Sequence, residues 1–178
     1  MDAGRCIANL PIENRGAIPL KLRSLVGDWV FGCDICQEVC PYNRGRSPAR
    51  NLPQRAADPW PEFSAEGGAG TRVPLQTLLG MGTDAEAFQR FAGTPLLRAK
   101  RSGLLRNAAV AAGNSQSLQL TKPLINLLHS DPDPLVRAHS AWALGRIGTA
   151  EATGSLSQAL WTEQNPSVLQ EIRATLQT

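Results

Sequence analysis

Four cysteines stand at Cys6, Cys33, Cys36 and Cys40, all within the first forty residues of a 178-residue chain. A thiolate is a soft ligand and a nucleophile, so clustered cysteines point to disulfides, zinc or iron–sulfur chemistry. The other residues able to do chemistry are scattered. His129 sits at the end of a helical pattern beside Asp131, and His139 lies among apolar positions, neither with a second ligand at helical spacing. Both are expected to be packing histidines. Basic residues are unevenly placed: residues 87–130 carry six (Arg90, Arg98, Lys100, Arg101, Arg106 and Lys122) and no carboxylate at all. Such a stretch is either a solvated helix surface or a stripe that meets phosphate, because local positive potential drives nucleic-acid association more than total charge does.

The cysteine spacing narrows the first choice. It reads Cys33-Asp34-Ile35-Cys36-Gln37-Glu38-Val39-Cys40-Pro41, one CxxC followed by CxxxCP. Structural zinc more often uses two CxxC knuckles. The CxxxCP ending is that of the CxxCxxCxxxCP run of two-cluster ferredoxins, whose last cysteine binds the other cluster. Read this way, Cys40 serves one 4Fe–4S cluster, and Cys6, Cys33 and Cys36 give three ligands to another. Each cluster then needs ligands from elsewhere, the expected source being a CxxCxxCxxxCP run upstream. A single cluster closed by all four cysteines, or a zinc site, remains an alternative on spacing alone.

The elements that must hold these residues are helical. Hydrophobic residues make up 42% of the chain and charged ones 19%, with a net charge of +3, which is ordinary for a folded protein and excludes disorder for most of it. A chain of this length buries roughly 70% of its unfolded surface and needs no disulfides to fold. No apolar run approaches the ~18 residues of a membrane span, and the N-terminus lacks a signal-peptide pattern, so a cytoplasmic protein is expected. Pro41, Pro48, Pro53, Pro59 and Pro61 with Gly67, Gly68 and Gly70 mark a connector, with Trp60 and Phe63 as its expected anchors. From Leu75 the pattern is helical. Leu75, Leu78 and Leu79 share one face, and Ala87, Phe88 and Phe91 another.

The last third repeats itself. Asp133-Pro134-Leu135-Val136 matches Asn165-Pro166-Ser167-Val168, and Ala108–Gly113 matches Ser140–Gly145, both at an offset of 32 residues. Each unit reads as a helix pair. Leu118 to Leu128 is one first helix, Asp-Pro opens the next, small residues such as Ala138, Ala141 and Ala143 permit close approach, and Gly145 is expected to end it. Trp142 and Trp161 are expected between helices. The stretch from Asp133 through Gly148 resembles a HEAT-type repeat, whose stacked helices usually serve as a docking surface. The predicted class is mainly α: a partial ferredoxin-like 4Fe–4S segment (1–45), a Pro/Gly-rich connector (46–74) and a HEAT-like helical solenoid (75–178).

Longer stretches carry a family resemblance. Asp2-Ala3-Gly4-Arg5-Cys6-Ile7, Ile12-Glu13-Asn14-Arg15-Gly16-Ala17-Ile18-Pro19 and Phe31–Asn43 around the three later cysteines resemble epoxyqueuosine reductase. So do Gly93-Thr94-Pro95-Leu96, Arg98-Ala99-Lys100-Arg101 and Gly103-Leu104-Leu105-Arg106-Asn107. The resemblance covers nearly the whole chain and is to the C-terminal part of that enzyme. It implies an oxidoreductase that converts epoxyqueuosine to queuosine at the tRNA wobble position with cobalamin and two 4Fe–4S clusters. The implied ligands here are Cys6, Cys33 and Cys36 for one cluster and Cys40 for the other. Glu13, Arg15 and Asp34 are expected near the cofactor or substrate arm. Arg98, Lys100, Arg101 and Arg106 are expected on the tRNA surface, with Arg106 as a helix-packing residue equally in view. The family's cobalamin pocket and its aspartate acid lie mainly outside these residues. No catalytic residue is therefore expected in this chain, which should be inactive alone and, as a monomer, should need a complementing N-terminal part. A small iron–sulfur electron carrier fused to a docking solenoid, and a zinc-stabilised tRNA- or protein-binding scaffold, are the competing expectations.

Overall fold

Asp133 and Asn165 show how this sequence starts its helices. Each side chain accepts from a backbone amide just inside the helix, Asp133 from Leu135 and Asn165 from Ser167 and Val168, and each is followed by proline at the first helical position. The computed structural model describes residues 2–43, 69–70 and 72–177. Every regular element among them is helical. Three short helices, α1 (Asn9–Ile12), α2 (Leu20–Val26) and α3 (Ile35–Glu38), belong to the cysteine-bearing end. Then follow α4 (Leu75–Leu79), α5 (Asp84–Phe91), α6 (Lys100–Ser115), α7 (Thr121–Ser130), α8 (Pro134–Ile147), α9 (Ala150–Thr162) and α10 (Pro166–Leu176). Trp60 and Phe63, the expected connector anchors, lie outside the described residues.

The second helices of the repeat, α6, α8 and α10, form one layer with α8 packed between the other two, while α7 and α9 cover α8 from the outer layer. The core is built where they meet: Leu104, Leu105 and Val110 of α6, Leu124 and Leu128 of α7, Val136 and Leu144 of α8, Leu156 of α9, and Val168 and Ile172 of α10. The first helix of the middle pair begins as a 3-10 turn over Leu118–Leu120 before α7 proper, and Leu120, Leu124, Leu127 and Leu128 all face inward as the spacing predicts.

Three expectations about this layer are corrected. Gly145 does not end α8; it lies inside the helix, which runs to Ile147 and is closed by Gly148 in the left-handed conformation, its amide bonding Leu144 O. Phe88 does not share the buried face of Ala87 and Phe91 but is 64% exposed, and Trp161 is 89% exposed while Trp142 is buried between helices as expected. Gly145 has a packing reason instead. A Cβ there would stand 2.0 Å from Thr175 Cγ2 of α10, and one at Gly113, its repeat equivalent, would stand 2.6 Å from the Trp142 ring and 3.0 Å from Ala143 Cα. The glycines recur every 32 residues because successive second helices touch there. Gly113→Ala meets backbone and a locked ring, so it should cost about 2 kcal/mol. Gly145→Ala meets one side chain near a helix end and should cost about 1 kcal/mol, most of it recovered by adding Thr175→Ala. Urea unfolding of the three variants checks both; equal costs at the two glycines would refute the packing argument.

Candidate functional site

The cysteine-bearing segment gains little from its own helices, which are one or two turns long and far below the length at which an isolated helix is stable. It is held from outside by polar side chains of α6 and α8. Arg106 donates to the carbonyls of Leu10, Pro11, Asn14 and Gly16 at 2.6–3.3 Å and to Asn107 Oδ1 at 2.8 and 3.0 Å. Asn107 Nδ2 donates to Pro11 O and to Val30 O, each at 2.8 Å. Asn114 Nδ2 donates to Arg23 O and Gly27 O, satisfying carbonyls at the end of α2. The His139 ring takes the Ile18 amide on Nε2 at 3.2 Å, and its Nδ1 meets Leu135 O at 2.8 Å. Arg23, buried in turn, pairs both guanidinium nitrogens with Glu171 of α10 at 2.8 and 3.0 Å and lies 5.4 Å over the Trp142 ring. The repeat layer thus meets seven carbonyls (Leu10, Pro11, Asn14, Gly16, Arg23, Gly27 and Val30) and the Ile18 amide of this stretch.

The four thiols flank this clamped stretch and are free. Cys6, Cys33 and Cys40 are half-buried and Cys36, on α3, is exposed. No three His, Cys, Asp or Glu side chains among the described residues stand close enough together to hold a single metal ion. As a donor set the four cysteines fit iron–sulfur binding: four unpaired, reachable, soft ligands on either side of a stretch fixed from behind. The neighbouring surface carries three exposed apolar side chains, Ile35, Val39 and Tyr42, among exposed Asp34, Gln37 and Glu38. Asp34, expected near the cofactor, opens α3 with an exposed side chain that caps nothing.

Glu13 and Arg15 meet the second group of predicted residues. Arg98 Nε pairs with Glu13 Oε1 at 2.6 Å, and Arg15 Nη1 donates to Arg98 O at 2.7 Å. Next to them Lys100 has φ 60° and ψ 168°, a conformation costly for a residue with a side chain. Arg15, Arg98 and Lys100 are exposed and adjacent at the junction of the cysteine segment with α6.

The other two basic residues expected on the tRNA surface are buried. Arg101 is 6% exposed and Arg106 fully enclosed. Arg101 pairs with Asp131 at 2.5 Å and donates to Met81 O at 3.0 Å, so neither guanidinium is available to a phosphate. Sequence reasoning set out the two readings of Arg106 evenly, and the structure decides for packing. It gave no part to Asn107 and Asn114 and no structural partner to His139. The available signal is that residues 104–113 are apolar or small except for Arg106 and Asn107, so a polar residue there serves a buried acceptor.

Two family models match the chain: a 4Fe-4S double cluster binding domain over residues 1–43 and HEAT repeats over residues 94–177. The first match supports iron–sulfur binding by the cysteine-bearing residues. The epoxyqueuosine reductase of Pseudomonas aeruginosa is 42% identical over 151 residues, which is 83% of this chain and 38% of that protein. A protein from the gldA 3′ region of Geobacillus stearothermophilus is 33% identical over 97% of this chain and 74% of its own length. The crystal structure of epoxyqueuosine reductase with an epoxyqueuosine-modified tRNA-Tyr stem loop superposes with a TM-score of 0.79 at 28% identity, covering 99% of this chain and 44% of that one. The chain spans about two-fifths of the length of the epoxyqueuosine reductases it matches.

Proposed function

The chain belongs to the epoxyqueuosine reductase family, and on that premise we propose that it is the cluster-binding and tRNA-docking part of a cytoplasmic reductase that converts epoxyqueuosine to queuosine in a tRNA anticodon. The observation that carries the reading is the segment of four free thiols clamped onto a HEAT-like layer, since an electron-transfer group and an RNA surface are what such a reaction requires. Cys6, Cys33 and Cys36 would ligate one 4Fe–4S cluster and Cys40 the other. The rest of the ligands would come from a complementing N-terminal part, and the chain is monomeric apart from it. When bound, such clusters pass single electrons. Cobalamin, implied by the family resemblance, is assigned no residue of this chain. The division into 1–45, 46–74 and 75–178 is retained as the working description of cluster segment, connector and repeat domain.

The tRNA surface in this proposal is the exposed set Arg15, Arg98 and Lys100, extended by Arg90 and Lys122, which are also exposed. These residues hold phosphate oxygens as point charges and forks, and Glu13 keeps Arg98 extended across the junction. With four to six phosphate contacts, affinity for an anticodon stem loop should fall with salt at a log–log slope of magnitude about 3–5. Changing Arg98 and Lys100 together to alanine should weaken binding and flatten that slope by about 1.5–2. Filter or fluorescence binding across a salt series reads this, and anaerobic reconstitution should leave iron and acid-labile sulfide on the chain. An unchanged slope would remove these residues from the RNA surface; a chain that holds zinc but no iron would remove the redox role.

A further inference from the structure

The described interior holds three arginines, and one of them lacks a counter-ion. Arg23 faces Glu171 and Arg101 faces Asp131. Arg106 meets only neutral acceptors: four backbone carbonyls and one side-chain amide. No described carboxylate pairs with it, and Arg15 adds positive charge nearby. Burial first and then Arg15 lower its pKa to about 10, which still leaves it a cation at neutral pH. An enclosed cation facing only dipoles is costly to keep. A neutral donor could serve carbonyls, so the charge itself calls for an explanation.

Its position supplies one. The carbonyls it holds begin at Leu10, whose amide bonds Cys6 O at 3.0 Å, so the guanidinium grips the backbone from about one helical turn after the first cysteine onward. Asn107, beside it, joins Pro11 of that limb to Val30 of the limb leading to Cys33. One residue pair on α6 thus underlies both limbs that carry the three-cysteine set.

We propose that Arg106 is the fixed counter-charge of the anionic iron–sulfur cluster bound by the Cys6 and Cys33–Cys36 limbs and raises its reduction potential, while Asn107 sets the spacing of the two limbs. This rests on the iron–sulfur reading above. A 4Fe–4S core held by four thiolates is a dianion, and it becomes a trianion on taking one electron from a low-potential donor. No bond forms or breaks and no proton moves. A cation held in a poorly polarisable interior favours the more negative state. Arg106 is a positioning and tuning residue here, acting through the segment and the field without touching the reacting substrate.

The test uses the whole chain with Cys40→Ser, reconstituted anaerobically with iron, sulfide and excess glutathione as the fourth thiolate. The cluster is titrated with dithionite and followed by electron paramagnetic resonance. A unit charge about 12 Å from a cluster, at an effective dielectric near 20, changes a one-electron equilibrium about tenfold. Arg106→Gln should therefore lower the midpoint by about 59 mV, the equivalent of tenfold for one electron. Arg106→Lys keeps the charge without the fork and should stay within a fraction of that shift. Equal midpoints for the parent and the glutamine variant would overturn the proposal, as would a lysine shift as large as the glutamine one. Should Arg106→Gln fail to fold by circular dichroism, citrulline at position 106, which keeps the planar shape and N–H donors without the charge, takes its place with the same downward shift expected. An unchanged midpoint there overturns the proposal equally. A parent chain that takes up no iron and sulfide refutes the iron–sulfur reading and this inference with it; iron bound with an insensitive potential refutes this inference alone.

Discussion

Asp131→Ala should cost the protein about 3–5 kcal/mol, the range expected when one partner of an enclosed ion pair is removed and the other charge stays behind. Asp131 receives Arg101 at 2.5 Å, and the Asp131 side chain has no exposed surface. Its second oxygen accepts the Asp133 amide at 2.9 Å and so shapes the turn that starts α8. Arg101 also anchors the loop before α5 through Met81 O. The pair therefore joins α6, the α7–α8 turn and the loop after α4, elements far apart in the chain. Replacing both partners by apolar residues of similar size, Arg101→Met with Asp131→Leu, should restore most of the loss, because the cost lies in the orphaned charge rather than in the missing attraction. Urea midpoints at constant slope measure both variants. A single variant within 1 kcal/mol of the parent would show that solvent reaches Arg101 and would return it to the candidate phosphate residues.

The same pair shows where the sequence stops being legible. Arg98, Lys100 and Arg101 occupy one acid-free stretch, and nothing in that stretch says that two face water while the third is buried. Direction is decided by the phase of α6 as it leaves the Lys100 turn, and by a carboxylate thirty residues away in a different repeat. Arg106 poses the same difficulty in stronger form: α6 is buried all round from Gly103 to Gly113, so helical periodicity has no polar face to report. Features fixed by short-range chemistry were legible. The Asp-Pro and Asn-Pro caps, the 32-residue period and the cysteine spacing each depend on neighbours in the chain, and the first two stand in the structure where the sequence puts them. Gly145 marks the boundary between the two cases. Its recurrence is visible in the chain, where it reads as a local stop, but its cause is a helix surface contributed by Thr175.

Acid should loosen the attachment of the cysteine segment well before general acid unfolding, and His139 is the reason. Its ring is fully enclosed between α8 and the Ile18 turn. Burial, then the charge of Arg23, pull its pKa from 6.5 to about 3, with Arg106 acting in the same direction and the Leu135 carbonyl opposing. A neutral ring is also what the geometry demands. Nδ1–H faces Leu135 O, so Nε2 carries the lone pair that accepts the Ile18 amide. In the unfolded chain the same ring takes a proton near pH 6.5, whereas the folded chain refuses it until about pH 3. The unfolded state thus binds more protons across this window, so stability is full above it and declines as pH falls through it. The slope approaches about 1.4 kcal/mol per pH unit, or about 2 kcal/mol between pH 6.5 and 5, before most carboxylates titrate. His139→Gln offers a neutral side chain at every pH. It should be less stable than the parent at pH 7.5 and should lack this part of the acid dependence, so that the two urea-stability curves converge toward pH 5. Amide exchange at Ile18 should quicken over the same interval in the parent alone. Parallel stability curves for the two proteins from pH 7.5 to 5 would mean that the ring titrates freely in the folded state, and the attachment of the cysteine segment would then be insensitive to acid.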